Sequence, residues 1–185
     1  MSNTLKTVPH KVPTPDETPG VSIGISDRNR EAIVEILNTT LADEFVLYTK
    51  VRNFHWNVVG RQFHELHRFF DEQYQELNLV VDEVAERARS LGGTAFGSLA
   101  EFLRRTRLAE TIEHDLSSVQ MITLLLNDHE AMVRNLRDDA EACDEKYKDA
   151  GTNDFLIGLL KQHEKTAWML RALLMRTTEG TRGMN

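Results

Sequence analysis

The sequence is poor in residues that cross-link chains, span membranes or break helices. Its one cysteine, Cys143, excludes an intrachain disulfide and is typical of proteins in a reducing cytosol, so we expect a cytoplasmic location. No apolar run approaches the roughly 18–20 residues of a membrane-spanning helix, and we expect no signal peptide. Proline is absent after Pro19, and no segment shows the alternation typical of a strand. These absences favour a globular all-helical protein.

The balance of charge is acidic. Acidic residues outnumber basic ones by 29 to 22, which gives a formal net charge of -7. Such a charge does not favour nucleic-acid binding through the overall field of the protein, whereas it favours the attraction of cations. The 185 residues, of which 41% are hydrophobic, are enough for one domain with a sizeable core.

The chain divides into an arm, a helical body and a short tail. Residues 1–25 contain all four prolines and no periodic apolar pattern, so we expect an extended or disordered arm. Residues 178–185 form the tail. Between them, the body at 26–177 has apolar residues at helical spacing in four long segments, at about 26–58, 62–91, 115–148 and 153–177. This pattern predicts an all-α four-helix bundle, with a short helix near 98–106 in the connection between the second and third helices.

Glycines and small polar residues mark the expected helix ends. Gly60, Gly92 and Gly151 are expected to end the first, second and third helices. Ser26 or Asp27 is expected to cap the start of the first helix, and Thr152 or Asn153 the start of the fourth.

Five side chains that commonly bind metals are regularly spaced within residues 55–86. They are His55, His67, Asp71, Asp82 and Glu86. Residues four apart share one face of a helix, so His67 pairs with Asp71, and Asp82 pairs with Glu86. Imidazole and carboxylate ligands suit iron, zinc or manganese better than copper(I).

The two pairs are too far apart on one helix to share an ion. Eleven residues separate Asp71 from Asp82, which is about three turns, so the pairs lie on nearly the same stripe but roughly 16 Å apart. Metal–ligand bonds of about 2.0–2.6 Å cannot span that distance. Two copies of the helix, packed antiparallel about a two-fold axis, would bring the first pair of one chain to the second pair of the other. The spacing therefore predicts two identical sites per dimer, each shared between the chains.

A solvated helix face is the alternative interpretation of any one of these residues, because charged groups are seldom buried unpaired. Against it, apolar residues are interleaved with the stripe, namely Phe63, Phe70, Leu77, Val81 and Val84. A di-iron site inside a single bundle is disfavoured, because none of the seven histidines follows a glutamate three residues earlier, as a Glu-x-x-His motif requires.

Four segments resemble the Dps family, the ferritin-like mini-ferritins also called DNA-binding proteins from starved cells. They are HWNVVG at 55–60, FHELHRFFDE at 63–72, DEVAERARSLGG at 82–93 and TNDFLIGLLKQHEKTAWML at 152–170. The resemblance covers about residues 27–176. It implies a ferritin-like bundle that assembles into a hollow dodecamer with ferroxidase sites at its two-fold interfaces.

The resemblance also implies a role for each candidate residue. His55, His67 and Asp71 of one chain, with Asp82 and Glu86 of its mate, would bind iron, and zinc is an alternative ion for the same ligands. Trp56 would lie beside the site. The implied reaction oxidises Fe(II), with hydrogen peroxide as the oxidant, and stores the ferric mineral inside the shell.

Two further expectations follow from the resemblance. Glu145, Asp149 and Asp154 lie at the junction of the third and fourth helices, which lines three-fold ion pores in the family. The alternative for Asp154 is a first-turn carboxylate that favours the helix dipole. The family name also suggests a DNA-binding protein, but the acidic charge and the charge-neutral arm argue for weak or absent binding. An inert helical bundle with a structural role is a third possibility.

Overall fold

The computed structural model describes residues 20–179, with side chains as far as Met175, and the secondary structure within this range is helical. The helices are α1 Asp27–Asn57, α2 Phe63–Ser90, α3 Leu99–Arg105, α4 Ser118–Glu141 and α5 Ala150–Glu179. A π-helical segment, Ala142–Lys146, extends α4. Residues 1–19 of the predicted arm and residues 180–185 of the predicted tail lie outside the described part. Within that part, no helix is long and apolar enough to cross a membrane.

The four long helices form two hairpins around one core. Helix α1 packs along α2, and α4 packs along α5, while α1 also contacts α4. Short links join the helices of each hairpin, so their directions are antiparallel. The largest side chains of the core are fully buried, among them Leu37, Leu47, Phe54, Phe70 and Leu136. Burial of each such side chain stabilises the bundle by about 1.5–3 kcal/mol.

The long connection between α2 and α4 is tied to α1 by buried polar side chains. Asn38 donates to the carbonyl of Thr94 and accepts from the amide of Phe96, at 3.0 and 2.9 Å. Further along, the carboxylate of Asp43 accepts from the Arg107 amide at 2.5 Å and from its guanidinium at 2.7 Å. Between these anchors lies α3, which begins with a capping box at Ser98. The predicted short helix is therefore confirmed, and its position is fixed by α1.

The ends of α4 differ from the prediction. The helix was expected from about residue 115, but it begins at Ser118, since Asp115 has a φ of 66° that an α-helix does not allow. Ser117 is the N-cap of α4. At the other end, Lys148 has a φ of 58°, so it cannot continue the helix, and it lies in the turn that leads into α5.

The prediction that Gly151 ends the third helix is wrong, as is the expected cap at Thr152. Gly151 lies in the first turn of α5, and Asp149 is the cap, because its carboxylate accepts from the Thr152 amide at 3.0 Å. A Cβ atom at Gly151 would come within 3.0 Å of the Arg87 guanidinium and 3.3 Å of the Asp149 carboxylate. The glycine thus makes room for the Arg87–Asp149 ion pair rather than stopping a helix. By contrast, Ser26, one of the two expected caps of α1, is its N-cap.

Candidate metal centre

The end of α1 and the start of α2 bring His55 and His67 together. Their rings stack with centroids 3.8 Å apart. The Nδ1 atom of each ring lies 2.8 Å from the backbone carbonyl of the other residue, so both Nδ1 atoms carry hydrogen and donate. These reciprocal bonds fix both tautomers and leave each Nε2 atom with a free lone pair. A backbone carbonyl on Nδ1 and a bare Nε2 is the arrangement that metal-binding histidines commonly show.

Asp71 lies one turn further along α2, beside His55. Its Oδ1 atom is 4.0 Å from His55 Nε2. Two ligands of one ion with bonds of about 2.0–2.1 Å lie about 3.3 Å apart at a tetrahedral angle, so an approach of less than about 1 Å would let the two side chains share an ion. The Asp71 carboxylate also accepts from the Tyr74 hydroxyl at 2.6 Å and from the Gln75 amide at 2.7 Å. The bond to Asp71 raises the pKa of the Tyr74 phenol above its ordinary value.

Asp82 and Glu86 lie exposed on the same helix, three and four turns beyond Asp71. At ~1.5 Å rise per residue, Asp82 is roughly 16 Å from Asp71 along the axis, as the spacing predicts. Within residues 20–179, no cluster of three or more His, Cys, Asp or Glu side chains is arranged to hold a metal ion in one chain. The chain therefore presents two separate partial ligand sets, one with two imidazoles and a carboxylate, the other with two carboxylates.

Aromatic side chains lie beside His55, His67 and Asp71, which together form the histidine half of the candidate site. The Arg52 guanidinium lies 5.4 Å from the ring centroids of both Trp56 and Tyr74. Phe63 stacks on His67 with centroids 5.0 Å apart. Trp56 is 65% exposed in the single chain, and Phe63 is 44% exposed. Large exposed aromatic rings beside an incomplete ligand set are typical of a surface that a further chain covers.

The candidate pore residues differ in their surroundings. Glu145 and Asp154 are exposed, and Asp154 lies in the first turns of α5. Asp149 is buried, and it accepts from Thr152 and pairs with Arg87 at 3.2 Å. Although burial opposes the charged form, these partners lower the pKa of Asp149 below its ordinary value. This carboxylate is thus engaged inside the subunit, which does not favour a role in an ion pore.

Four described histidines lie outside the set of five candidate ligands, namely His64, His114, His129 and His163. His64 and His114 are exposed. His129 and His163 meet in the core, with their Nδ1 atoms 2.8 Å apart, and His163 Nε2 lies 2.9 Å from the Glu44 carboxylate. This arrangement is a linear hydrogen-bond chain across three helices, in which the three side chains do not converge on a common point. Burial, aided by the nearby His163, lowers the pKa of His129 well below its ordinary value.

Sequence reasoning missed Tyr74 and Gln75, which hold the carboxylate of Asp71. Their positions three and four residues after Asp71 on one helix are the signal that could have identified them, since residues at these spacings are neighbours. The contact of Tyr74 with His55 depends on the packing of α1 against α2, and the helix spacing alone does not show it. The rings of Tyr74 and His55 meet edge to face, with centroids 5.3 Å apart.

Comparisons with known proteins agree with this architecture. The model of the ferritin-like domain matches residues 34–179. A low temperature-induced protein of Nostoc sp. is 41% identical over 156 residues, which cover 84% of this chain and 87% of that protein. DNA protection during starvation protein 2 of Bacillus anthracis is 37% identical over 142 residues, covering 77% of this chain and 96% of that protein.

A solved structure gives the same result. A Dps protein from Vibrio cholerae O1, described as a member of a broad superfamily of ferritin-like diiron-carboxylate proteins, is 28% identical and superposes with a TM-score of 0.77. The match covers 84% of this chain and 99% of the other. The predicted ferritin-like four-helix bundle is thus confirmed, and the chain belongs to the Dps family of ferritin-like proteins.

Proposed function

We propose that this protein stores and detoxifies iron by oxidising Fe(II) at sites shared between two subunits. His55, His67 and Asp71 of one subunit bind iron together with Asp82 and Glu86 of its mate. The ferric product collects as a mineral inside a hollow dodecamer, which protects the cell against oxidative damage. The proposal includes a cytoplasmic location, which the single cysteine supports.

The observation that carries the proposal is the reciprocal bonding of His55 and His67. Each Nδ1 atom donates to the other residue's carbonyl, so both Nε2 atoms are free to bind an ion beside Asp71. A surface pair of histidines has no need of this fixed tautomer. The ligand chemistry also fits, because imidazoles hold Fe(II) while carboxylates stabilise the greater charge of Fe(III). Zinc suits the same ligands and would compete with Fe(II) for them.

The proposed oxidant is hydrogen peroxide. Two Fe(II) ions each give one electron to one peroxide molecule, and two protons are taken up, which yields two Fe(III) ions and two water molecules. Electrons taken in a pair avoid the release of hydroxyl radical. The carboxylates of Asp71, Asp82 and Glu86 favour the loss of electrons because they bind the ferric product more tightly than the ferrous substrate.

Iron reaches the interior through acidic pores in this proposal. Asp154 and Glu145 are exposed near the junction of α4 and α5. Rings of carboxylates from several subunits would raise the local concentration of cations. The net charge of -7 for each chain acts in the same direction.

The first experiment follows ferric absorbance after peroxide is added to anaerobic Fe(II) and protein. We expect rapid oxidation with the unmodified protein and its loss in the Asp82→Ala, Glu86→Ala double variant. The matched control is Glu72→Ala, Glu76→Ala, which removes two exposed carboxylates at the same spacing from the same helix. Oxidation at equal, slow rates by all three proteins, with the oligomer intact, would mean that the five candidate ligands do not form the catalytic site.

The alternative function is protection of DNA by physical association. It is favoured by the name of the Bacillus anthracis relative, a DNA protection during starvation protein. The charge argues against it, since twelve copies of -7 give about -84 for a dodecamer. Retention of duplex DNA by the assembled protein at low salt, with release as salt is raised, would support this alternative.

A further inference from the structure

The carboxylate of Asp71 is held on both of its oxygen atoms. The Tyr74 hydroxyl donates to Oδ1 at 2.6 Å, and the Gln75 amide donates to Oδ2 at 2.7 Å. Each oxygen keeps a second lone pair that can face a metal ion. A carboxylate with a donor on each oxygen has restricted rotation about its terminal bond, so its free lone pairs have a defined direction.

Tyr74 is itself held in place. Its ring lies edge-on to His55, with centroids 5.3 Å apart, and the Arg52 guanidinium lies 5.4 Å from its centroid. The same guanidinium donates to the Tyr48 hydroxyl and lies 5.8 Å from the Tyr48 ring. Tyr48 in turn packs against Tyr74 with centroids 6.3 Å apart. One tyrosine thus contacts two of the three ligands in the histidine half, and the Arg52 guanidinium lies over its ring.

We infer that Tyr74 is a positioning residue of the metal centre, whose hydroxyl holds Asp71 beside His55 so that the histidine half is organised before the ion arrives. The inference rests on the proposed function. Hydrogen bonds to a ligating carboxylate typically change metal affinity or activity by about 10–100-fold. Because Tyr74 orders a ligand and does not exchange electrons, its loss weakens the binding of the ion and leaves the rate at saturation unchanged.

The test uses Tyr74→Phe in the full chain, in its assembled form. This change removes one oxygen atom and keeps the ring that contacts His55, so the fold and the oligomer are retained. Tyr147→Phe is the matched control, since it removes a phenol hydroxyl from a side chain that packs near Lys146 at the far end of α4. Zn(II) binding is measured by calorimetry, and the rate of Fe(II) oxidation is measured as a function of Fe(II) concentration.

We expect Tyr74→Phe to weaken Zn(II) binding by about 10–100-fold and to raise the half-saturating Fe(II) concentration similarly, with the maximal rate within about twofold of the unmodified protein. Tyr147→Phe is expected to change neither quantity. A lower maximal rate at unchanged affinity would overturn the inference, because Tyr74 would then act in the chemistry itself.

Asp71→Asn separates failure of the inference from failure of the proposed function. If Asp71→Asn loses Zn(II) affinity while Tyr74→Phe binds like the unmodified protein, the ligand set stands and the positioning role falls. If neither variant alters Zn(II) binding or Fe(II) oxidation, these residues do not form a metal site, and the proposed function falls with the inference.

Discussion

Mixing two inactive variants tests whether the ligand halves belong to different subunits. The two halves lie roughly 16 Å apart on α2, so neither chain completes a site alone. One variant carries His67→Ala and Asp71→Ala, and the other carries Asp82→Ala and Glu86→Ala. Each variant by itself has a defect in every site, whichever way the sites are assembled, and is expected to be inactive.

Mixed dimers restore part of the activity if the sites are shared. In a dimer with one copy of each variant, one site combines both altered halves, and the other combines both unaltered halves. After equal amounts are unfolded and reassembled together, about half of the dimers are mixed and each has one of two sites intact. About a quarter of the unmodified activity is therefore expected.

The assay is peroxide-driven oxidation of Fe(II), measured for each variant, for the reassembled mixture and for a mixture that has not been reassembled. The mixture without reassembly is the control, because its subunits have not exchanged. Activity near a quarter only after reassembly supports the shared site. Reassembled oligomers as inactive as their parents would refute the reasoning, since the halves would then not meet across subunits.

Three further predictions concern stability, each measured by denaturant unfolding. Burial lowers the pKa of His129, so neutral His129 contributes its full share to the free energy of unfolding above the unfolded pKa of about 6.5. As the pH falls below that value this share is lost, and the unfolding constant rises by up to about tenfold per pH unit. His129→Leu is expected to flatten this dependence relative to the exposed control His114→Gln, and equal slopes would contradict the assignment. Asp149→Ala removes the α5 cap and a partner of Arg87, and is expected to cost about 2 kcal/mol, with the exposed Asp154→Ala costing less. The buried Lys50 donates to Asp128 at 2.5 Å, so Lys50→Met leaves a partly buried carboxylate unpaired, which should cost about 3 kcal/mol. Addition of Asp128→Leu is expected to recover much of the loss.

Local pattern was enough to predict the helices and the spacing of the ligands. Apolar periodicity located the four long helices, and the four-residue spacing placed His67 with Asp71 on one face of α2. These features depend on neighbours within one or two turns, which the sequence states directly. The exposed positions of Asp82 and Glu86 on α2 are likewise consistent with the periodicity of the helix.

Several of the features that the sequence did not predict depend on residues far apart in the chain. Gly151 was interpreted as a helix stop, but its role depends on Arg87, more than 60 residues away. The core chain of His129, His163 and Glu44 joins residues separated by 34 and 119 positions. The apolar periodicity of α4 and α5 places both histidines on the buried faces of these helices, but no local pattern predicts that the two rings meet, because that contact depends on how the helices pack.

The two halves of the proposed site differ in how far they are prepared for a metal ion. In the histidine half, each ring has its Nδ1 atom bonded and the carboxylate has a donor on each oxygen, which lowers the cost of ordering when an ion binds. Asp82 and Glu86 are exposed, and neither has a hydrogen bond or ion pair with the described residues. In the proposal, the ordered half captures Fe(II), whereas the partner's two carboxylates add the negative charge that favours Fe(III). Assembly of the dimer then controls oxidation more strongly than it controls capture of the ferrous ion.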